Sequence, residues 1–151
     1  MREWKWLARE VVFAAHDAQL AEHGGPSGVR DMALLDALLV RPKQVAASGE
    51  ARVADLAASY GYGMARSGPF LLGSERTAFV ALELFLQLND KRLTADNAHC
   101  VLMMRDVVAG HVSEEQFADW IGQHLAPSDS FDALIGMARG AKTDHVRDRN
   151  E

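Results

Sequence analysis

The residues most suited to chemistry lie in one segment, Gly68-Pro69-Phe70-Leu71-Leu72-Gly73-Ser74-Glu75-Arg76-Thr77-Ala78. It reads as a glycine-bearing loop running into the first turn of an apolar helix. That turn has backbone N–H groups with no intrahelical partner and about half a positive charge from the aligned peptide dipoles. Gly73 lets the backbone approach a ligand closely, Ser74 can cap the helix or donate its hydroxyl, and Arg76 offers a fork of donors suited to phosphate. Together these make an anion cradle. The same residues also fit an ordinary helix start, with Glu75 and Arg76 as solvated side chains of a first turn where an acid suits the dipole.

The elements that must position this segment read as helices. Leu7, Val11, Val12, Ala15 and Ala18 form a stripe in a first helix from about Leu7 to His23, which Gly24-Gly25-Pro26 stops. Asp31 is a candidate N-cap for a second helix with Leu34, Leu35, Leu38 and Leu39 inward; Arg41-Pro42 should close it. Lys43 to Arg52 then reads as a loop or flap. Val53 to Arg66 returns to helix, with Leu56, Tyr60 and Met64 every four residues. The helix Ser74 to about Leu88 is apolar on nearly all faces and should lie at the centre, ended by Asn89-Asp90. Asp96 caps a helix reaching Ala109. Ser113-Glu114-Glu115-Gln116 is a capping box for one reaching Leu125, with Phe117, Trp120 and Ile121 inward. A short helix over Phe131 to Met137 is expected, then a polar tail expected to be disordered. The fold class is therefore all-α, with one domain over 1–125 and a C-terminal extension over 126–151.

Composition narrows the function classes. The 151 residues are 48% hydrophobic and 25% charged, values of an ordinary globular chain. A net charge of −5 argues against non-specific nucleic-acid binding, which rests on cationic patches. The single cysteine, Cys100, excludes an intrachain disulfide and sits in an apolar run as a small hydrophobe. No apolar stretch approaches the ~20 residues of a bilayer span, and the N-terminus lacks a signal-peptide core, so a cytoplasmic location is expected, with no membrane partner. His23, His99, His111, His124 and His145 have no metal-ligand spacing and read as surface or cap residues. Trp4 and Trp6 either pack onto the bundle or mark a partner contact.

The segment 68–78 resembles the signature loop of the Fic/Doc family, His-x-Phe-x-Asp-Gly-Asn-Lys-Arg-Thr-Ala. Further stretches are similar to the family's death-on-curing branch: His16-Asp17, Glu22 to Asp31, Leu38 to Pro42, Ala54 to Tyr60, Phe79 to Asn89 and Ser113 to Leu125. The resemblance covers roughly residues 5 to 125. It implies a compact helical bundle around the 74–88 helix, a bacterial origin, a structural role for His16 near the groove, and an antitoxin-like helical peptide or other protein as groove partner.

The matches and departures imply a changed chemistry. Phe70, Gly73, Arg76, Thr77 and Ala78 match the motif. Gly68 stands where the family's histidine deprotonates the target hydroxyl, and glycine cannot act as a base. Leu72 stands where an acid holds Mg²⁺ on the nucleotide phosphates, and a hydrocarbon cannot ligate a hard cation. Ser74 replaces an asparagine, and Glu75 replaces a lysine, reversing the charge. Loss of a general base costs a factor of ~10² to 10⁴ in rate. The expectation is a pseudoenzyme with no catalytic residue, acting by binding. Its phosphate-binding candidates are Gly73, Ser74, Arg76 and Thr77, with Glu75 as a further candidate. No metal is expected, and an ATP-like nucleotide would bind only weakly. The alternative is an active phosphoryl- or nucleotidyl-transferase toxin using Ser74, Glu75 and Arg76.

Overall fold

A computed structural model describes residues 3–128. It contains α1 (Arg9–His23), α2 (Met32–Ala46), α3 (Val53–Ser67), α4 (Ser74–Leu88), β1 (Lys91–Leu93), α5 (Asn97–Ala109), α6 (Glu114–Gln123) and β2 (Leu125–Pro127). The fold is all-α. Its one sheet among the described residues is the antiparallel pair β1–β2, with Arg92 opposite Ala126. No helix among the described residues is long and apolar enough to cross a membrane.

Local chemistry explains the helix ends. Asp31 accepts the Leu34 N–H at 3.0 Å, Asp96 accepts the His99 N–H at 2.9 Å, and Ser113 and Gln116 close a reciprocal box at 3.0 and 2.9 Å. Gly24 ends α1 at φ 79°, its N–H reaching the Leu20 carbonyl at 2.7 Å.

The core is built on α3 packed against α4. Leu56, Tyr60, Met64, Leu82, Phe85, Leu86, Phe117 and Ile121 are fully buried there. The helix α4 shares the centre with α3, which is enclosed further. Small residues are the cause. A Cβ on Gly61 would meet Leu82 Cδ2 at 2.7 Å, and one on Gly63 would meet Leu38 Cδ2 at 2.8 Å. Hydrogen atoms at these positions let α2 and α4 approach the α3 backbone closely.

Three boundaries differ from expectation. The first helix begins at Arg9, and Leu7 is buried outside it, its N–H reaching the Tyr60 hydroxyl at 3.3 Å. Pro42 does not close α2 but lies buried inside it, so the connecting loop is 47–52 rather than Lys43 to Arg52. An interior proline costs about 3 kcal/mol. Burial of Leu35, Leu38 and Pro42 offsets that cost, and so does Arg41, which is 2.7 Å from Glu114 and donates to Ser59 at 3.3 Å. Leu125 is not the last residue of α6 but the first of β2, paired with Leu93. Strands of three residues leave no periodic signal in a sequence. The pairing carries the packed chain past residue 125, to the Ser128 N–H on the Asp90 carbonyl at 2.9 Å. The short helix expected over Phe131 to Met137 lies outside the described residues.

The aromatic N-terminus packs onto the bundle. Trp6 stacks on Phe85 with ring centres 5.8 Å apart. Lys5 exchanges two backbone hydrogen bonds with the Asn89 amide, both 3.0 Å.

Candidate functional site

The loop between α3 and α4 is held from outside by the α1–α2 linker. Gly68 caps α3 in the left-handed region (φ 60°, ψ 60°). Arg30 donates to the Gly68 carbonyl at 2.8 Å and to the Ser67 carbonyl at 2.9 Å, satisfying the exposed end of α3. The Arg30 and Asp31 N–H groups both reach the Pro69 carbonyl, and the Leu71 N–H reaches the Gly28 carbonyl at 3.1 Å. Val29 and Phe70 form an isolated antiparallel bridge.

From inside, α1 and α4 hold the same loop. Phe70 is buried and stacks on the His16 imidazole, ring centres 4.0 Å apart and planes 17° apart. The His16 Nδ1 is 3.1 Å from the Thr77 hydroxyl. Burial pushes the His16 pKa down, while neighbouring Asp17 pulls it up more weakly. The Phe70 N–H donates to Ser74 Oγ at 3.1 Å. Gly73, at φ 78°, is the N-cap of α4, and its carbonyl accepts the Thr77 N–H at 3.0 Å.

These contacts sort the candidate residues. Gly73, Ser74, Glu75 and Arg76 line a depression of about 270 Å³ at the α4 N-terminus, facing Gln19, Leu20, His23 and Gly24 of α1 and its cap. Thr77 does not belong with them. It is fully buried and turned to His16, so its hydroxyl supports the loop from below. A helix rotates about 100° per residue, and that rotation takes position 77 away from the face that carries Glu75 and Arg76. A second depression of about 390 Å³ shares Gln19, His23, Glu75 and Arg76 and continues between α4 and α5 over Phe79, Val80, Cys100, Val101, Met104 and Arg105. The two form one groove with a polar mouth and a more apolar floor.

His23 and Arg105 were missed by sequence reasoning, which left His23 as a surface residue. A signal for His23 was present, since positions 16, 19, 20 and 23 share one face of a helix. Arg105 gave none, because the groove joins helices distant in sequence. Cys100 is buried, with burial pushing its thiol pKa up, which suits an inert packing residue.

The chemistry open to this loop is limited by what it lacks. A Cβ built on Gly68 would find Ser74 Oγ at 4.0 Å as its nearest contact, so the position faces the cradle and offers it nothing. Leu72 is half-exposed, its side chain resting over Gly25. Glu75 is the single carboxylate of the segment 68–78. No group of three or more His, Cys, Asp or Glu among the described residues could hold a metal ion. This donor set does not fit the Mg²⁺ that the signature motif implies, because a hard cation takes several oxygen ligands.

The glycine-to-serine loop between two packed helices, clamped by the linker before α2, is matched by comparison with known proteins. The family model for the Fic/DOC family matches residues 6–86. The chain belongs to the Fic/DOC family. It is also 36% identical over 94 residues to the protein named Toxin Doc from Mycolicibacterium smegmatis, an alignment covering 61% of this chain and 70% of that protein. Within this Fic/DOC chain, α1 through α4 carry the family match, while α5, α6 and the β1–β2 pair complete the bundle.

Proposed function

We propose that this chain is a Doc-like protein of the toxin–antitoxin type whose motif loop has lost its transfer chemistry, and that it acts in the bacterial cytoplasm by binding. The observation that carries the reading is Gly68. The scaffold that aims position 68 at the cradle is intact, and the side chain is a hydrogen atom. A transfer to a hydroxyl needs a base within hydrogen-bond reach of its proton.

What remains suits binding. Arg76 and the α4 N-terminus present donors at the mouth of the groove, and Phe79, Val80, Val101 and Met104 line its floor. A phosphate-bearing ligand would use the mouth alone. An amphipathic helix of a protein partner, such as an antitoxin, would use mouth and floor together. The groove geometry favours the protein partner, because its larger part lies beyond the phosphate-sized cradle.

One observation favours a second reading, an active toxin using other groups. His23 and Glu75 line the same depression as Ser74 and Arg76, which places an imidazole and a carboxylate beside the cradle. Expression of the chain and of Arg76→Ala in a bacterial host separates the two. Growth unaffected by either supports the binding reading. Growth arrest by the parent chain alone supports the active toxin.

A further inference from the structure

We propose that His16 is a proton-operated latch on the motif loop, holding Phe70 and Thr77 in place while neutral and releasing the loop when it takes up a second proton.

The ring stack and the hydrogen bond of His16 both fall on the loop and the helix it feeds. Its ring covers Phe70, the buried anchor of the loop, at 4.0 Å, and its Nδ1 meets Thr77 Oγ1, one turn into α4, at 3.1 Å. Its Nε2 is buried and has no hydrogen-bond partner among the described residues. A neutral imidazole carries one donor and one acceptor. With the donor on Nδ1 and Thr77 as its partner, Nε2 is left as a bare acceptor, the less costly orphan. A second proton would place an N–H and a positive charge at Nε2, where no acceptor waits. The imidazolium is then stable only if the ring leaves its site, and leaving breaks both the Phe70 stack and the Thr77 contact.

The surrounding charges do not offset this. Asp17 acts on the ring but is itself exposed, rotated about 100° around α1 from His16. Arg30 of the linker is engaged by the Ser67 and Gly68 carbonyls. His23 on α1 and Glu75 and Arg76 on α4 line the groove. The other loop anchors, among them Arg30, the linker N–H groups on the Pro69 carbonyl, the Val29–Phe70 bridge and Ser74 Oγ, all grip the backbone, so loss of the ring contacts frees the Phe70 side chain first.

The sign follows from burial. The closed loop prefers neutral His16, so its pKa there lies below the ordinary 6.5. The closed state is therefore fully favoured above 6.5 and loses ground as pH falls below it. With an open-state pKa near the ordinary histidine value, the open population rises between pH 7.5 and 5.5 by up to about tenfold.

Amide hydrogen exchange, corrected for intrinsic rate, tests this on the full chain at both pH values. The expected result is faster exchange across 67–77 at pH 5.5, by up to about tenfold, through an opening that leaves Leu56 and Ile121 far better protected than the loop at both pH values, and no such rise in His16→Asn or His16→Phe. A rise of equal size in the two variants, or a flat response in the parent chain, overturns the latch. Should neither variant fold, NMR titration of His16 in the parent chain decides. A midpoint below 6.5 that moves the Phe70 ring and Thr77 methyl signals supports the latch, and a titration that leaves both signals unmoved overturns it.

Discussion

The hydroxyl of Ser74 stands 4.0 Å from the point where a Cβ on Gly68 would sit, and it already accepts the Phe70 N–H. The cradle therefore uses its one hydroxyl to brace its own loop. Ser74→Ala removes that acceptor and leaves the Phe70 N–H without its partner. Losing such a bond in a partly buried place costs about 1 to 2 kcal/mol. Chemical denaturation should show an unfolding free energy lowered by that amount, read as a lower midpoint with an unchanged slope, while an unchanged midpoint would mean that the Phe70 N–H finds another acceptor.

Room at position 68 makes the lost chemistry restorable in part. Gly68→His alone should cost about 1 kcal/mol, because a side chain is placed at positive φ, and should confer no activity. Gly68→His combined with Leu72→Asp and Glu75→Lys returns a base, an oxygen ligand and a phosphate-pairing cation. Nucleotide-dependent labelling of protein in a lysate should rise above background for the triple variant with Mg²⁺ present and stay at background for the single one. Equal labelling by both would show that the metal and lysine positions do not matter.

Gly61 sits where α3, α4 and α6 meet. Gly61→Ala would press a methyl group against Leu82 Cδ2 at 2.7 Å and Phe117 Cε2 at 3.2 Å, and both residues are fully buried. Overpacking of this kind costs about 1 to 3 kcal/mol. Thermal unfolding should fall by several degrees. A gain in stability, the usual outcome of adding an alanine to a helix, would contradict a close α3–α4 contact at this position.

The pin between α3 and α6 should weaken in acid. Arg52 donates to Asp55 and Asp119, and the guanidinium holds the Asp55 pKa below its ordinary 3.8. A depressed carboxylate contributes stability that is present above 3.8 and lost as pH falls through its lowered value. Both partners are substantially exposed, so the effect is about 1 kcal/mol or less. Arg52→Ala should lower the melting temperature slightly at pH 7 and progressively less as pH falls below 3.8, and an equal loss across that range would point to packing rather than charge.

Much of this molecule was readable from residue order. The bounds of α4 and α5, the caps at Asp31, Asp96 and Ser113, and the family follow from capping chemistry and from the motif between Gly68 and Ala78. The misread places are those where tertiary packing overrides a local rule. Pro42 stays inside α2 because its burial outweighs a lost hydrogen bond. Thr77 sits beside Arg76 in sequence and on another face in space. Part of the groove floor, Val101 and Met104, comes from α5, about 30 residues beyond the loop in sequence, and no local pattern links the two.

The most direct measurement is transfer by the purified chain itself. With labelled ATP, Mg²⁺ and a bacterial lysate as target, the parent chain and Arg76→Ala should give the same background signal. Modification by the parent chain that Arg76→Ala abolishes would contradict the account, because a loop without histidine at 68 or an acid at 72 would then still catalyse.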